Sequence, residues 1–299
     1  MSAEHIPVLL QETLEGLDLQ TGDRVFEGTV GLGGHAEEIL KRIGAKGFYI
    51  GIDQDSQALK KAEERLEACK VMKIFREENF RNLDRVLDDA KTPIVDKILF
   101  DIGLSNLQLE ESGRGFSFKR DEPLLMTFKT SPRKGELTAK EIVNEWGVDS
   151  LTDIIRGYGE DKFADRIATA IVAKRETKPI ETTSELAQIV TDALPKSLRF
   201  RKIHPATKTF QALRITVNDE LGALRQALTK GFDRLSPGGR MAVISFHSLE
   251  DRIVKNFFKN LATEGLGTIL TKKPISPGEQ ELKRNPKSRS AKLRIIKKN

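Results

Sequence analysis

The residues of this chain with the plainest capacity for chemistry are carboxylates at the ends of apolar runs, with glycines between them. Glu27 closes one run, Gly31, Gly33 and Gly34 follow, and Asp53 closes the next run. A strand that enters a glycine-rich turn, followed by a strand ending on an acidic residue about 20 positions later, is how an open α/β sheet holds a nucleotide-type cofactor. The glycines let the backbone approach the ligand, and the carboxylate accepts from ribose hydroxyls. Gly31-x-Gly33-x-x-Ala36 fits the looser dinucleotide pattern, so a nicotinamide cofactor is one reading.

S-adenosylmethionine is the other, and four features favour it. Glu27 sits at the loop, where it could meet a cationic amino-acid moiety rather than a pyrophosphate. Asp101 ends a fourth apolar run and leads into Ile-Gly-Leu-Ser-Asn, a polar loop placed to line a reaction centre. The turn Ser236-Pro237-Gly238-Gly239 precedes a further strand, a frequent punctuation in methyltransferases. No obvious set of hydride-transfer residues is present.

These side chains need parallel strands to position them. Candidate strands lie at 24–27, 48–53, 71–75 and 95–101, nearly continuous apolar runs of the kind covered on both faces. Helical patterns such as 56–68 lie between them. From Leu109 to His204 the alternation stops and only helix signals remain. Thr138 with Glu141 and Thr182 with Glu185 read as capping boxes, and Phe163, Ile167, Ala170 and Ile171 fall at helical spacing. A helix carrying Val217, Leu221, Leu224 and Leu228 leads to the Ser236 turn. Segment 241–246 then reads as a buried strand and 292–296 as a last, edge-like one. The pattern predicts an α/β, Rossmann-like domain formed by 1–108 and 205–299, discontinuous because an all-helical domain at 109–204 is inserted in it.

Composition sets the broad class. In 299 residues, hydrophobic content of 38% and charged content of 31% suit a soluble globular chain. No apolar run approaches the ~18–20 residues of a membrane span, and the first residues lack a secretory pattern. Cys69 is the only cysteine, which fits a reducing cytoplasm. That lone Cys and four scattered His give no metal-ligand spacing, so no metal is expected. From Lys272 to Asn299, ten Lys/Arg face two Glu, a local charge of +8. Such a basic tail is either a nucleic-acid footprint or a solvated terminus.

Longer motifs extend over nearly the whole chain. They are HIPVLLQE from His5, GLGGH from Gly31, DIGLSNLQL from Asp101, RGFSF from Arg114, HPATKTFQALRI from His204, SFHSLEDR from Ser245 and NPKSRSAKLR from Asn285. In this order they resemble the bacterial ribosomal small-subunit RNA methyltransferase H family (RsmH, also called MraW). The resemblance implies S-adenosylmethionine-dependent methylation of the exocyclic N4 of a cytidine in the decoding region of 16S rRNA, within the small subunit. It also implies a methyltransferase domain interrupted by a helical, substrate-recognising one. Gly33, Gly34 and His35 are expected to line the cofactor with their backbones and Asp53 to take its ribose hydroxyls, and Asp101 is the candidate catalytic residue, as the acceptor for the cytosine amino hydrogens, or a contact to the cofactor's amino-acid end. By the resemblance, Phe80 and Gln108 add cofactor contacts. Asn106, His204, His247 and Arg289 are candidate substrate positions, and His5 could touch RNA or simply sit in a turn. Phe80 could equally be core, and His247 loop structure. Both monomer and homodimer are compatible with the sequence.

Some positions depart from the family pattern. Glu27 stands where the family usually has Asp, and Ala36 and Asn106 where it has Ser. The segment PLLMTFK from Pro123 replaces Pro-Leu-Asp-Met-Arg-Met-Asp, so Leu125 and Lys129 replace carboxylates and Thr127 an arginine. Loss of both signs of charge together is what a disbanded ion-pair network looks like. It motivates an alternative, a catalytically silent protein that binds small-subunit rRNA as an assembly factor.

Overall fold

The computed structural model describes residues 7–105, 107–130, 135–199 and 203–299. The chain forms two compact units, one of residues Met1–Gly103 with Leu221–Asn299 and one of Leu104–Glu220.

The first unit is built on a seven-stranded sheet. Its strands are β1 (Arg24–Glu27), β2 (Phe48–Asp53), β3 (Met72–Glu77), β4 (Val95–Asp101), β5 (Leu235–Ser245), β6 (Gly267–Ile269) and β7 (Lys292–Lys298), in the order β3-β2-β1-β4-β5-β7-β6. β1 lies parallel between β2 and β4. The chain therefore leaves β1 toward one edge and returns on the other side at β4. That reversal opens a crevice at the carboxyl ends of β1 and β4, where open α/β sheets take their ligands. β7 runs antiparallel to both β5 and β6. Helices α1 (Leu10–Leu17) and α2 (Gly34–Ile43) turn Leu14, Leu17, Ile39, Leu40 and Ile43 into one core with Val25, Leu99, Ala242 and Leu293. Burial on both faces explains why the central strands read as unbroken apolar runs.

Several sequence expectations are corrected. The third strand runs over Met72–Glu77, not 71–75, and is only partly covered because it is an edge. β5 begins at Leu235. The Ser236–Gly239 stretch is a bulge within it, since Val95 pairs with Leu235 and Lys97 already with Arg240. β7 is interior rather than edge-like, because the three-residue β6, too short to carry a sequence period, covers it. Helix α3 (Ser56–Leu66) stops two residues short of 68. The helix expected around Val217–Leu228 is two, α9 (Thr207–Asn218) and α10 (Glu220–Asp233), separated by Asp219 in the left-handed region at φ 46°.

Among the described residues the second unit has no strand beyond the isolated bridge between Pro123 and Thr182. Five helices, α5 (Ala139–Glu145), α6 (Val148–Gly157), α7 (Ala164–Arg175), α8 (Thr183–Ala193) and α9 (Thr207–Asn218), follow α4 (Leu83–Asp89) of the first unit. Thr138 and Glu141 form a capping box on α5, and Thr182 and Glu185 one on α8. Ile142, Ile155, Ile167, Ile171, Leu186 and Val190 make its core, and Phe210 and Leu213 of α9 join them. That packing puts the unit's limits at Leu104 and Glu220, where the sequence division lay at 109 and 204. No helix among the described residues is long and apolar enough to cross a membrane.

Asp251 ties α11 (Ser248–Thr263) to β7 by pairing with both Arg294 and Lys292. Arg294 Nε donates to Asp251 Oδ1 at 2.7 Å and Nη2 to Oδ2 at 3.2 Å, with side-chain exposures of 10% and 13%. Burial pushes the Asp251 carboxyl up, but Arg294 and Lys292 outweigh it and hold it below the usual range. Asp251→Ala strands a buried guanidinium and should cost about 3 kcal/mol in a denaturant melt, whereas Asp251→Asn, which keeps an acceptor, should cost less.

Candidate active site

The crevice end of the sheet gathers the acidic residues singled out above. Glu27 at the end of β1 is buried, and Tyr49 Oη donates to its Oε2 at 2.6 Å. Burial drives the Glu27 carboxyl up to about 8, the Tyr49 hydrogen bond opposes this, and the charges of Asp101 and Asp53 add to it. Asp53 at the end of β2 accepts from Gly31 N at 2.8 Å and from Asp55 N at 2.9 Å. Its carboxyl is raised by burial to about 6, against the pull of those N–H groups. Asp101 at the end of β4 is raised by burial to about 7, opposed by the Gly103 N–H and assisted by the charge of Glu250. Three acidic side chains thus share one poorly solvated rim, and each is more easily protonated than a free carboxyl.

The glycine loop joins β1 to α2. Gly33 caps α2 with φ 77°, a conformation L side chains rarely adopt, and a Cβ there would lie 3.2 Å from Ala62 Cβ. Thr29 Oγ1 accepts from Asp101 N at 2.7 Å and so ties the loop to the end of β4. The His35 side chain is buried. Its Nε2 lies 3.1 Å from the Val8 carbonyl oxygen and its Nδ1 3.6 Å from Asp101 Oδ2. Glu27 Oε1 and Asp101 Oδ1 are buried and make no hydrogen bond among the described residues. Buried acceptors without donors are what a cationic, hydrogen-bonding ligand would satisfy, so the residues present fit a positively charged cofactor.

The structure gathers Gly33, Gly34, His35, Asp53, Phe80 and Asp101 in the first unit. Phe80 opens a short 3₁₀ turn, is buried, and packs on Phe100 with ring centroids 5.7 Å apart. His247 is the N-cap of α11. Its Nδ1 accepts from Glu250 N at 3.5 Å, and its Nε2 lies 3.0 Å from Glu250 Oε1. That capping role was legible only as the spacing His247-x-x-Glu250. Arg289 is exposed on the turn Pro286–Ser290 that precedes β7.

Two further positions lie in the helical unit. Gln108 Oε1 accepts from Ser105 N at 3.0 Å while Ser105 Oγ accepts from Gln108 N at 3.1 Å, a reciprocal lock on the turn after β4. His204 stacks on Phe118 at 4.3 Å and its Nδ1 accepts from Ala206 N at 3.1 Å. Burial holds its pKa below the ordinary value. Asn106 and His5 lie outside the described residues. Sequence reasoning missed Tyr49 and Thr29, whose hydroxyls fix Glu27 and the loop. Their types carry no signal until the strand register is known.

The altered 123–129 segment is held by carbonyl contacts. Arg114, buried against Phe116, donates to the Thr127 oxygen at 3.2 Å and also to that of Phe128. Asn218 accepts from Phe128 N at 2.9 Å and donates to the Met126 oxygen at 2.8 Å. Lys129 finds Glu136 at 2.5 Å.

Comparison with known proteins agrees with this architecture. A family model described as the MraW methylase family matches residues 2–299. A protein of Persephonella marina named Ribosomal RNA small subunit methyltransferase H is 48% identical over 294 residues, covering 98% of this chain and 99% of that one. The protein of the same name from Acetivibrio thermocellus is 45% identical over 315 positions, covering 100% of both chains. A crystal structure from Clostridium thermocellum is similar in fold, with TM-score 0.50 at 13% identity over 99% of this chain and 100% of that one.

The raised carboxyls have a stability consequence. A carboxyl raised by folding contributes stability below its ordinary pKa and loses it as pH rises through the folded value. For Glu27, Asp53 and Asp101 that window runs from about 4 up to about 8. The cofactor-free protein should therefore lose Tm as pH rises from about 5 to 8.5. Glu27→Gln should raise Tm by about 2–6 °C at the upper end, the shift of ~1–2 kcal/mol in a chain of this size, and change it little at the lower end. Thermal melts across pH read this directly.

Proposed function

The chain belongs to the MraW methylase family, and on that premise we propose that it transfers a methyl group from S-adenosylmethionine to the exocyclic N4 of a cytidine in the decoding region of 16S rRNA. The rim of Glu27, Asp53 and Asp101 is the observation that carries this reading. Three poorly solvated carboxyls, one buried and two half-buried, with Glu27 Oε1 and Asp101 Oδ1 making no hydrogen bond among the described residues, disfavour a pyrophosphate and suit a ligand bearing a sulfonium and an ammonium group. The name shared by the relatives supports ribosomal RNA as the substrate.

When bound, the cofactor supplies an activated methyl group. The chain supplies position and electrostatics. Gly33, Gly34 and His35 would run along it with their backbones, Asp53 would accept from its ribose hydroxyls, Phe80 would flank the adenine, and Gln108 would add a contact. A cytosine amino group is a weak nucleophile because its lone pair is delocalised into the ring. Asp101 is the catalytic residue in this reading. Its carboxylate would accept from the amino hydrogens and hold the lone pair toward the methyl group the cofactor supplies, and in-line placement would lower the barrier.

A cytidine in folded RNA must also be unstacked, at a cost of a few kcal/mol. Lys283, Arg284, Lys287 and Arg289 are exposed just before β7. Lys292, which starts β7, pairs with Ser245 at the carboxyl end of β5, so this basic stretch leads into the same rim of the sheet as Asp101. Phosphate contacts there, with Arg199 and the helical unit, offset the unstacking. Asn106, His204 and His247 would shape the substrate loops.

Labelled methyl transfer to small subunits from cells lacking the enzyme, with nucleoside analysis, tests the reading. N4-methylcytidine should form, and Asp101→Ala should lower the rate by about 10²–10⁴-fold. No transfer with S-adenosylmethionine binding intact would instead favour the silent assembly factor that Leu125, Thr127 and Lys129 motivate, with Leu125→Asp as the next variant. Tighter binding of a nicotinamide dinucleotide would sink both. Replacing Arg284 and Arg289 by Ala should weaken RNA binding about tenfold and reduce its salt slope by about two, leaving cofactor affinity unchanged.

A further inference from the structure

Tyr49 and Glu27 meet through a placement that the sheet register dictates. Glu27 is the register partner of Gly51, and Gly51 that of Phe75. Tyr49 lies two residues before Gly51, so its side chain stands on the same face of the sheet. The ring is fully buried, packs on Phe75 with centroids 5.8 Å apart, and passes over Gly51. A Cβ at position 51 would lie 2.7 Å from Tyr49 Cε1 and 3.0 Å from its Oη. Glycine at 51 therefore leaves the lane along which the phenol runs forward to the carboxyl end of β1. There Oη donates to Glu27 Oε2 at 2.6 Å.

This contact gives the two carboxyl oxygens different tasks. Oε2 is engaged by Tyr49, while Oε1 is buried and makes no hydrogen bond among the described residues. Burial and the charge of Glu27 push the Tyr49 hydroxyl well above its ordinary pKa, so it stays a donor throughout the neutral range. Asp101 from β4 and Asp53 from β2 face the same carboxyl as like charges. Of the cofactor's two positive groups, a sulfonium has no hydrogen to give, whereas an ammonium carries N–H donors. A buried acceptor without a donor selects the ammonium.

We propose that Tyr49 is a positioning residue for cofactor binding: its hydroxyl holds Glu27 Oε2 so that Oε1 is presented to the ammonium group of S-adenosylmethionine. This rests on the reading of the cofactor given above. Tyr49 acts through Glu27 and touches no reacting atom. The contact also moves a proton. With Oε2 accepting from Tyr49, the proton of the neutral carboxyl sits on Oε1. Burial raises that carboxyl to about 8, so it holds the proton through most of the neutral range. An ammonium N–H that donates to Oε1 displaces the proton to solvent, and binding is linked to its release. Removing the hydroxyl takes away the hydrogen bond that favours the charged carboxylate and leaves the group free to turn.

Two probes separate the ammonium from the rest of the cofactor. S-adenosylhomocysteine keeps the ammonium and lacks the sulfonium charge, and methylthioadenosine lacks the whole amino-acid end. In calorimetry on the full chain near pH 7, Tyr49→Phe should bind S-adenosylhomocysteine about tenfold more weakly than the parent and methylthioadenosine within about twofold. Retained binding of the second probe shows that the crevice is intact. An equal loss for both probes, or no loss for either, overturns the proposal and leaves the cofactor reading standing. The same titrations in buffers of different ionisation enthalpy count the protons released. The parent should release about one proton on binding S-adenosylhomocysteine, and Glu27→Gln about 0.5–1 fewer. Equal release by the two also overturns the proposal, because Glu27 would then not be the group the ammonium meets. A parent that binds neither probe overturns the reading of the cofactor, and the proposal with it.

Discussion

Burial of acidic side chains at the carboxyl ends of parallel strands is the constraint on which the rest of the first unit depends. The strand order makes β1 and β4 neighbours, so Glu27 and Asp101 converge on one crevice, with Asp53 one strand further out. Desolvation penalises each charge, and mutual repulsion adds to the penalty. Every nearby polar feature reads as a response to that penalty. Tyr49 donates to Glu27, the Gly31 and Asp55 N–H groups to Asp53, and the Thr29 hydroxyl fixes the backbone of Asp101. These contacts hold the carboxyls in place, while Glu27 Oε1 and Asp101 Oδ1 make no hydrogen bond among the described residues. The fold keeps an incompletely neutralised acidic rim, a state that favours binding a cation over remaining empty.

The strands that build this rim were legible because they are buried on both faces. β1, β2 and β4 appear in the sequence as apolar runs closed by Glu27, Asp53 and Asp101, with the bounds the structure has. Legibility failed where burial was one-sided or short. β3 lies at an edge and mixes Lys73, Arg76 and Glu77 with apolar residues. β6 has three residues and no period to detect. In β5, Pro237 and Gly238 look like punctuation, and they are punctuation of a kind, a bulge that leaves the strand continuous on both sides. The break between the helices Thr207–Asn218 and Glu220–Asp233 rests on one residue, Asp219, taking a left-handed conformation. Asp is among the few types that do so readily, yet its presence alone does not announce it.

The histidines show why the site was less legible than the fold. His35, His204 and His247 each stand in a motif that suggests ligand contact. Each spends a ring nitrogen on nearby backbone: His35 on the Val8 oxygen, His204 on Ala206 N, His247 on Glu250 N. A sequence gives the type and spacing of an imidazole but not which nitrogen is already engaged, and the engagement decides what the other nitrogen can do. For His247 it faces Glu250, a capping contact. For His35 it lies 3.6 Å from Asp101 Oδ2, at the end of β4.

The 123–129 segment bears on whether the helical unit keeps its form despite the lost charges. Replacing ion pairs by apolar groups is often neutral for stability, and the one charge the 125, 127 and 129 positions now carry, Lys129, is paired with Glu136. The danger would be an orphaned partner. Arg114 is the buried cation nearest in sequence to that segment, and it is not orphaned: it donates to main-chain carbonyls of the very residues that changed, Thr127 and Phe128. Backbone oxygens do not depend on side-chain identity, so this fastening survives substitution at 125, 127 and 129. Asn218 adds a second main-chain clasp from α9. The segment is therefore held by contacts indifferent to the departures from the family pattern. An effect of those departures on activity would have to arise from what the side chains present to a substrate, because the form of the loop does not rest on them.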